Sequence, residues 1–547
     1  MLKKFARWML IWGLLFATVA AQAPMPAQAR PLGAVTTVTQ CNDAGLRSAL
    51  SSFDTIYFNC PSNPAVITLT GGQLNITRNT IIDGGGRVVL DGQGTHRIME
   101  LAPYMELLLR NITLQNGHAV AGDHNLRPGQ GGAVLVGTWA DVTFQNVRFL
   151  NNRADATGSM GDGTSQICEG GGAVHLNGFN YAEVFDSTFV GNSAQNGGAI
   201  NNLTADLVVS NSTFENNVST HARPSDPCGG GGAIYIDGAG NTNQGGTQTV
   251  SITGSVFRGN RTDRKGGAVF MFMYSNTEGR SRGDLVTIEN STFESNRSEA
   301  PNPGEHGQGG GGAIDYQGSV TGGAMKLIIR NSTVNNNHAD HLGGGIWAEN
   351  AAMELHNVTI VGNEAKNAKA GLPYNLGAGG GLVIGNGSAY TFDGTRLIHV
   401  TIAGNSANFR GGGITGWGNT PPSGVRMGNS IVANNTAGLA NNCFNTFTNL
   451  GGNVQYPSKN SGDVDCTSGI TFGNPSFGTF GNNGGRTQTL QINSGSAARD
   501  RGNTQVCTGW TVLDQRRFGR SGACDSGAFE YGGVALRPAG YFPFVRR

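Results

Sequence analysis

Leu-Val-Val-Ser-Asn-Ser-Thr-Phe-Glu-Asn-Asn at residues 207–217, followed by Gly-Gly-Ala-Ile at 231–234, decides how this chain folds. A β-branched run ends in a bulky apolar residue, Phe214. Asn217 stands three residues later, and a glycine pair then opens a new apolar segment. The unit recurs. Its apolar anchors are Phe149, Phe189, Phe214, Phe257, Phe293, Val334, Ile360, Ile402 and Ile431. Three residues after each stands an asparagine: Asn152, Asn192, Asn217, Asn260, Asn296, Asn337, Asn363, Asn405 and Asn434. Successive anchors lie 25 to 43 residues apart, as expected of a constant coil carrying surface insertions, whose closure cost grows only slowly with length.

Short β-branched segments with period-two patterning and no helical periodicity indicate strands. Stacking one unit on the next gives an all-β right-handed parallel β-helix. Gly-Gly-Ala/Gly-Ile/Val would form a tight corner, and the asparagines would lie above one another about 4.8 Å apart, one strand spacing. There their amides can bond up and down the stack. These nine asparagines are therefore read as architecture. A second Asn/Asp position precedes the anchor by three residues, for example at Asn146, Asp186 and Asn211.

This Gly-Gly-Ala-Ile/Val and Phe-x-x-Asn repeat resembles that of chlamydial polymorphic outer-membrane proteins and related pectin-lyase-like β-helices. The resemblance covers about residues 64–440 and implies export and a solenoid. Further on, Asn482–Leu490, Gly495–Gly502, Asp514-Gln515-Arg516 and Cys524–Glu530 resemble the choice-of-anchor Q domain of exported bacterial proteins, with Arg517 a departure where that family usually has glycine. The expected organisation is a signal peptide at 1–29, an N-terminal cap at 30–63, the β-helix at 64–440, the choice-of-anchor Q-like module at 441–531 covering the far end, and a tail at 532–547.

Composition fits this reading. The 547 residues include 88 glycines, only 13% are charged, and the formal net charge is +1. No basic stripe suggests nucleic acid. Lys3, Lys4 and Arg7 precede a short apolar run and small-residue sites, as in a secretory signal. The remaining chain has no apolar segment of spanning length. Localisation is expected to be extracellular, at a bacterial cell surface. Eight cysteines suit an oxidising compartment, with Cys41–Cys60, Cys168–Cys228, Cys443–Cys466 and Cys507–Cys524 as candidate disulfides. No Cys-x-x-Cys is present and no histidine clusters with cysteine along the chain, so no metal site is indicated. No motif supports calcium, and no other cofactor is evident.

The repeat also projects one sheet face. The residue after each Ile/Val of the glycine corner should point outward: Leu135, His175, Asn201, Tyr235, Phe270, Asp315, Trp347, Val383 and Thr415. Two residues on come Asp237, Phe272, Gln317, Glu349 and Trp417. Tyr235, Phe270, Phe272, Trp347 and Trp417 are candidate glycan-stacking residues. Asp237, Asp315 and Glu349 are the weaker catalytic candidates, with no Lys or Arg projected beside them. The favoured reading is a non-catalytic exported protein that binds glycans or another cell-surface component. The alternative is a lyase or glycoside hydrolase acting on an acidic polysaccharide.

Overall fold

A computed structural model describes residues 33–120, 129–155, 170–220, 229–239, 248–274, 284–300, 309–318, 325–350, 352–366, 377–385, 394–416, 424–459 and 462–535. The signal segment, Cys168, Cys228, Trp417 and the tail from 536 lie outside them.

Each coil makes three passes. Ile200–Leu203 lies in an 11-stranded sheet, and Asp206–Ser210 with Thr213–Glu215 in a 23-stranded sheet bent at Asn211. Val218–Ser219 lies in a 10-stranded sheet. The pairings within these sheets are parallel and in register from coil to coil, for example Phe189↔Phe214 and Phe214↔Phe257. With the right-handed crossover that parallel connections adopt, this is a right-handed parallel β-helix.

The core is one continuous column. The Phe149, Phe189, Phe214, Phe257 and Phe293 rings stack with centroids 4.5–4.7 Å apart and planes within 11°. All five are fully buried. At the corner, Gly231 has φ 63°, and a Cβ on Gly232 would overlap the Gly267 carbonyl oxygen of the next coil. Only glycine lets the backbones approach so closely.

The asparagine ladder follows the strand stack. Asn192 Nδ2 donates to Asn217 Oδ1 at 2.9 Å and to the Phe149 carbonyl at 3.1 Å, while its own N–H donates to the same Asn217 oxygen at 3.1 Å. The pattern repeats from Asn152 to Asn405. The last rung corrects the sequence reading. Asn405 Nδ2 donates to Asn435 at 2.9 Å, not to Asn434. Val432 pairs with Ile402 and takes the anchor place, while Ile431 turns outward to pack on Ala498 and Phe529 in a second small core. Asn434 instead has φ 56° and occupies the left-handed turn position that Asn151, Asn216 and Asn336 hold in earlier coils.

At the N-terminal end, the helix Asp43–Ser52 is capped by Asn42, whose side chain accepts from Gly45 N at 2.9 Å. It seats fully buried Leu46 in the main core, and Cys41 is bonded to Cys60 beside it. At the far end, parallel pairing runs past residue 440 through Val454–Tyr456 to Thr471–Phe472. Bonded Cys443 and Cys466 join the core there with Phe447 and Ile470. The remaining C-terminal residues do not sit over the coil end as expected but fold back along the flank. Gln515 Nε2 donates to Thr333 Oγ1 at 2.9 Å, Thr359 Oγ1 donates to Gln515 Oε1 at 2.7 Å, and Arg520 donates to Asn357 at 2.9 Å. Arg520 and Glu530 pair at 3.1 Å, each 2% exposed.

Candidate binding face

The 11-stranded sheet carries the projected column. Its register runs Leu135↔His175, His175↔Asn201, Asn201↔Tyr235, Tyr235↔Phe270, Phe270↔Asp315, Asp315↔Trp347, Trp347↔Val383 and Val383↔Thr415. The second column pairs Asp237, Phe272, Gln317 and Glu349 in the same way. The projection thus places seven of the eight candidates on one face. Trp417 lies outside the described residues.

These side chains are not an open strip. Phe270, Asp315 and Trp347 are buried, forming a floor, while Tyr235, Asp237, Phe272 and Glu349 keep partial exposure as a rim. The floor is roofed by the segment that leads into each glycine corner. A Cβ on Gly310 would overlap the Trp347 ring, and the backbone at Gly230 lies against Phe270 and Tyr235. Tyr235 and Phe270 approach at 5.2 Å between centroids, tilted by 32°. Tyr274 Oη donates to Asp237 at 2.8 Å on the rim.

The same leading segment supplies the cation that strand projection missed. Lys265 precedes the Gly266-Gly267 corner and bridges in parallel to Gly310. Its Nζ donates to Gln317 Oε1 at 3.2 Å and lies 5.8 Å from both the Phe270 and Trp347 ring centroids. At that distance an ammonium is attracted to both ring faces. The signal in the sequence is a basic residue where other coils carry Asn196, Gly230, Gly310, Leu342 or Ala378; Arg410 holds the same place further along the stack.

Asp315 is the anomaly of the face. It is fully buried, and neither carboxyl oxygen closes a hydrogen bond, although the Gln317 amide lies near enough to favour the charged form. Burial pushes its pKa up to about 8. Glu349 adds to that rise, and Lys265 opposes it. Burial also raises Glu349, again against Lys265. Asn201, beside Tyr235 in the column, is buried with both side-chain amide atoms unpaired. Buried polar atoms without partners are uncommon in folded proteins and mark strain or a place for a missing partner. Asp315 and Glu349 are diagonal neighbours on adjacent strands, about 7–8 Å apart. Asp237 lies two coils from Asp315, about 10 Å. The face therefore unites an amine, a neutral acid, a second carboxyl and aromatic surface.

Residues 211–237 match the model of the Chlamydia polymorphic membrane protein repeat. The match spans one coil, from the Asn211 bend to Asp237 on the rim, and points to a surface- or outer-membrane-type protein. Among solved structures, the A-module of Azotobacter vinelandii mannuronan C-5 epimerase AlgE4 is similar over 74% of this chain and 94% of that one, at 11% identity and a TM-score of 0.25. At that TM-score the likeness adds nothing to what the strand pairings show. No curated protein matches the sequence. Among the described residues, no helix is long and apolar enough to cross a membrane.

Proposed function

We propose that this protein is displayed at a bacterial cell surface and binds an acidic glycan on the 11-stranded sheet, around Lys265. The observation that supports this most is the unpaired, buried Asp315 carboxyl beneath a rim that carries Lys265, Tyr235 and Glu349. Sugar hydroxyls can bond the part-exposed Tyr235, Asp237 and Glu349 above it, a uronate carboxylate suits the Lys265 ammonium, and the part-exposed Tyr235 and Phe272 rings can pack against sugar rings. The flank-bound C-terminal residues, with Asp514-Gln515-Arg516 buried in their clasp, fit a choice-of-anchor Q-like role in surface attachment.

One observation favours chain cleavage as a second reading. Asp315 keeps its proton near neutral pH, so it can act as a general acid, and its spacing from Glu349 suits an inverting carboxyl pair.

The test is a panel of acidic and neutral polysaccharides offered to the full chain, scored for binding and for unsaturated or reducing-end products. Binding of acidic polymers that is lost in Lys265→Met and Trp347→Ala supports the first reading. Products that disappear in Asp315→Asn would establish the second. Binding unaffected by either substitution would remove this face from the account.

A further inference from the structure

The bend of the long sheet has a habitual occupant. Asn211, Asn290, Asn331, Asn357 and Asn429 hold it with φ of 49–53°, a left-handed conformation that asparagine tolerates well. In one coil His399 stands there instead, with φ 53°. Its side chain is fully buried, and groups from the C-terminal residues surround the ring. Nδ1 lies 3.3 Å from the Gly527 carbonyl, which can only accept. The proton therefore sits on Nδ1, and Nε2 presents a lone pair. Asn429 Nδ2 donates to Nε2 at 3.0 Å, and Cys507 Sγ lies 3.6 Å from it. The same Asn429 amide lies 3.1 Å from Cys507 Sγ and 3.6 Å from Cys524 Sγ. Nε2 and both sulfurs fall within 4.8 Å of one another.

We propose that His399, Cys507 and Cys524 form a redox-gated site for a thiophilic d¹⁰ cation, zinc or copper(I). In the oxidised protein the two sulfurs are joined to each other and the site is closed. A dithiol reductant supplies two electrons and two protons. The S–S bond breaks to give two thiols, and the reductant leaves as its own disulfide. The cation then displaces the thiol protons, giving two thiolates and one imidazole nitrogen, a donor set that suits zinc or copper(I). With Nε2 given to the cation, the Asn429 Nδ2 hydrogen now donated to that nitrogen is placed to donate to a thiolate, the kind of outer support that orients metal ligands. The two states differ in what they connect. The disulfide links two points within the C-terminal residues, whereas the metal would tie those residues to the coil through His399. Reduction with metal binding thus replaces a local link by a clamp between module and solenoid. This site is independent of the glycan reading.

The experiment uses the full chain, reduced anaerobically with a phosphine and titrated with cobalt(II). Wild type is expected to take up cobalt with thiolate-to-cobalt charge-transfer absorption, and that absorption should disappear in His399→Asn and in Cys507→Ser. Asparagine is the ordinary occupant of this bend, so His399→Asn should fold, as an unchanged denaturation midpoint of the oxidised protein would show. If it does not fold, Cys507→Ser carries the test. Cys443→Ser/Cys466→Ser and Cys168→Ser/Cys228→Ser should keep the absorption. Zinc competition should show an affinity loss of about 100-fold or more in His399→Asn, the upper end of what even outer-shell changes cost. Absence of the charge-transfer band in reduced wild type, or its persistence in folded His399→Asn or in Cys507→Ser, overturns the proposal.

Discussion

Buried polar side chains stand in two places along this solenoid, and only in the asparagine ladder are they paired throughout. In the ladder from Asn152 to Asn405 each Oδ1 accepts from the preceding coil and each Nδ2 donates both to the next oxygen and to a carbonyl. On the 11-stranded sheet, Asn201 and Asp315 are equally buried yet leave side-chain atoms unpaired. A buried amide that closes its bonds stabilises the stack, whereas an unpaired one costs about 1–3 kcal/mol. The first column is architecture. The second carries a cost that a bound partner would relieve, and proteins concentrate such costs at functional sites.

The largest expected effect attacks the satisfied column. Asn296→Ala removes the donations to Asn337 Oδ1 and Phe257 O, and strips Asn260 N–H and Nδ2 of their acceptor. At about 1 kcal/mol per bond it should destabilise by roughly 4 kcal/mol in denaturant unfolding. A change below about 1 kcal/mol would mean the ladder contributes little.

Asp315→Asn should do the reverse. The folded carboxyl titrates near 8 and the unfolded one near 3.8. Between those values the native state holds a proton that the unfolded chain has released, so wild-type stability falls as pH rises through that window. Asparagine does not ionise. The variant should therefore match wild type near pH 4 and exceed it by a margin that widens as pH rises toward 8. Thermal melts across pH read this directly, and parallel profiles for the two proteins would show that Asp315 is not titrating as described.

The last rung separates two neighbouring asparagines. Asn435→Ala should cost up to about 4 kcal/mol by the same count, since Asn435 Oδ1 accepts from Asn405 N–H and Nδ2 and its Nδ2 donates to Asn442 and Ile402. Asn434→Gly, at a left-handed turn, should stay within about 0.5 kcal/mol. Equal costs would undo the corrected register. Smallest of all in stability is Lys265→Met, expected within about 1 kcal/mol because the lysine is part-exposed and makes one hydrogen bond.

The repeat was legible because each coil restates the same turn chemistry. Phe-x-x-Asn and the glycine corner set the register and the outward column from Leu135 to Thr415. The reading slipped at Ile431-Val432-Ala433-Asn434-Asn435, where two apolar residues and two asparagines admit either frame and the neighbouring Ala498 and Phe529 decide. Lys265 was missed for a different reason. It belongs to the segment entering a corner, which strand alternation does not project, and only the roof formed by the next coil brings it over Phe270 and Trp347. The burial of Trp347 and Phe270 likewise follows from that roof. His399 meets Cys507 and Cys524 only because the C-terminal residues fold back along the flank, a separation of more than 100 residues that spacing along the chain does not reveal.

Equilibrium binding of a polyuronate to wild type, Lys265→Met and Asn435→Ala under one buffer tests whether the face around Asp315 holds a ligand and the paired ladder does not. The account predicts a loss of at least about tenfold for Lys265→Met, the equivalent of a single charged contact at 1.4 kcal/mol, with Asn435→Ala binding like wild type despite its lower stability. Wild-type affinity in Lys265→Met, or a loss confined to Asn435→Ala, would contradict it.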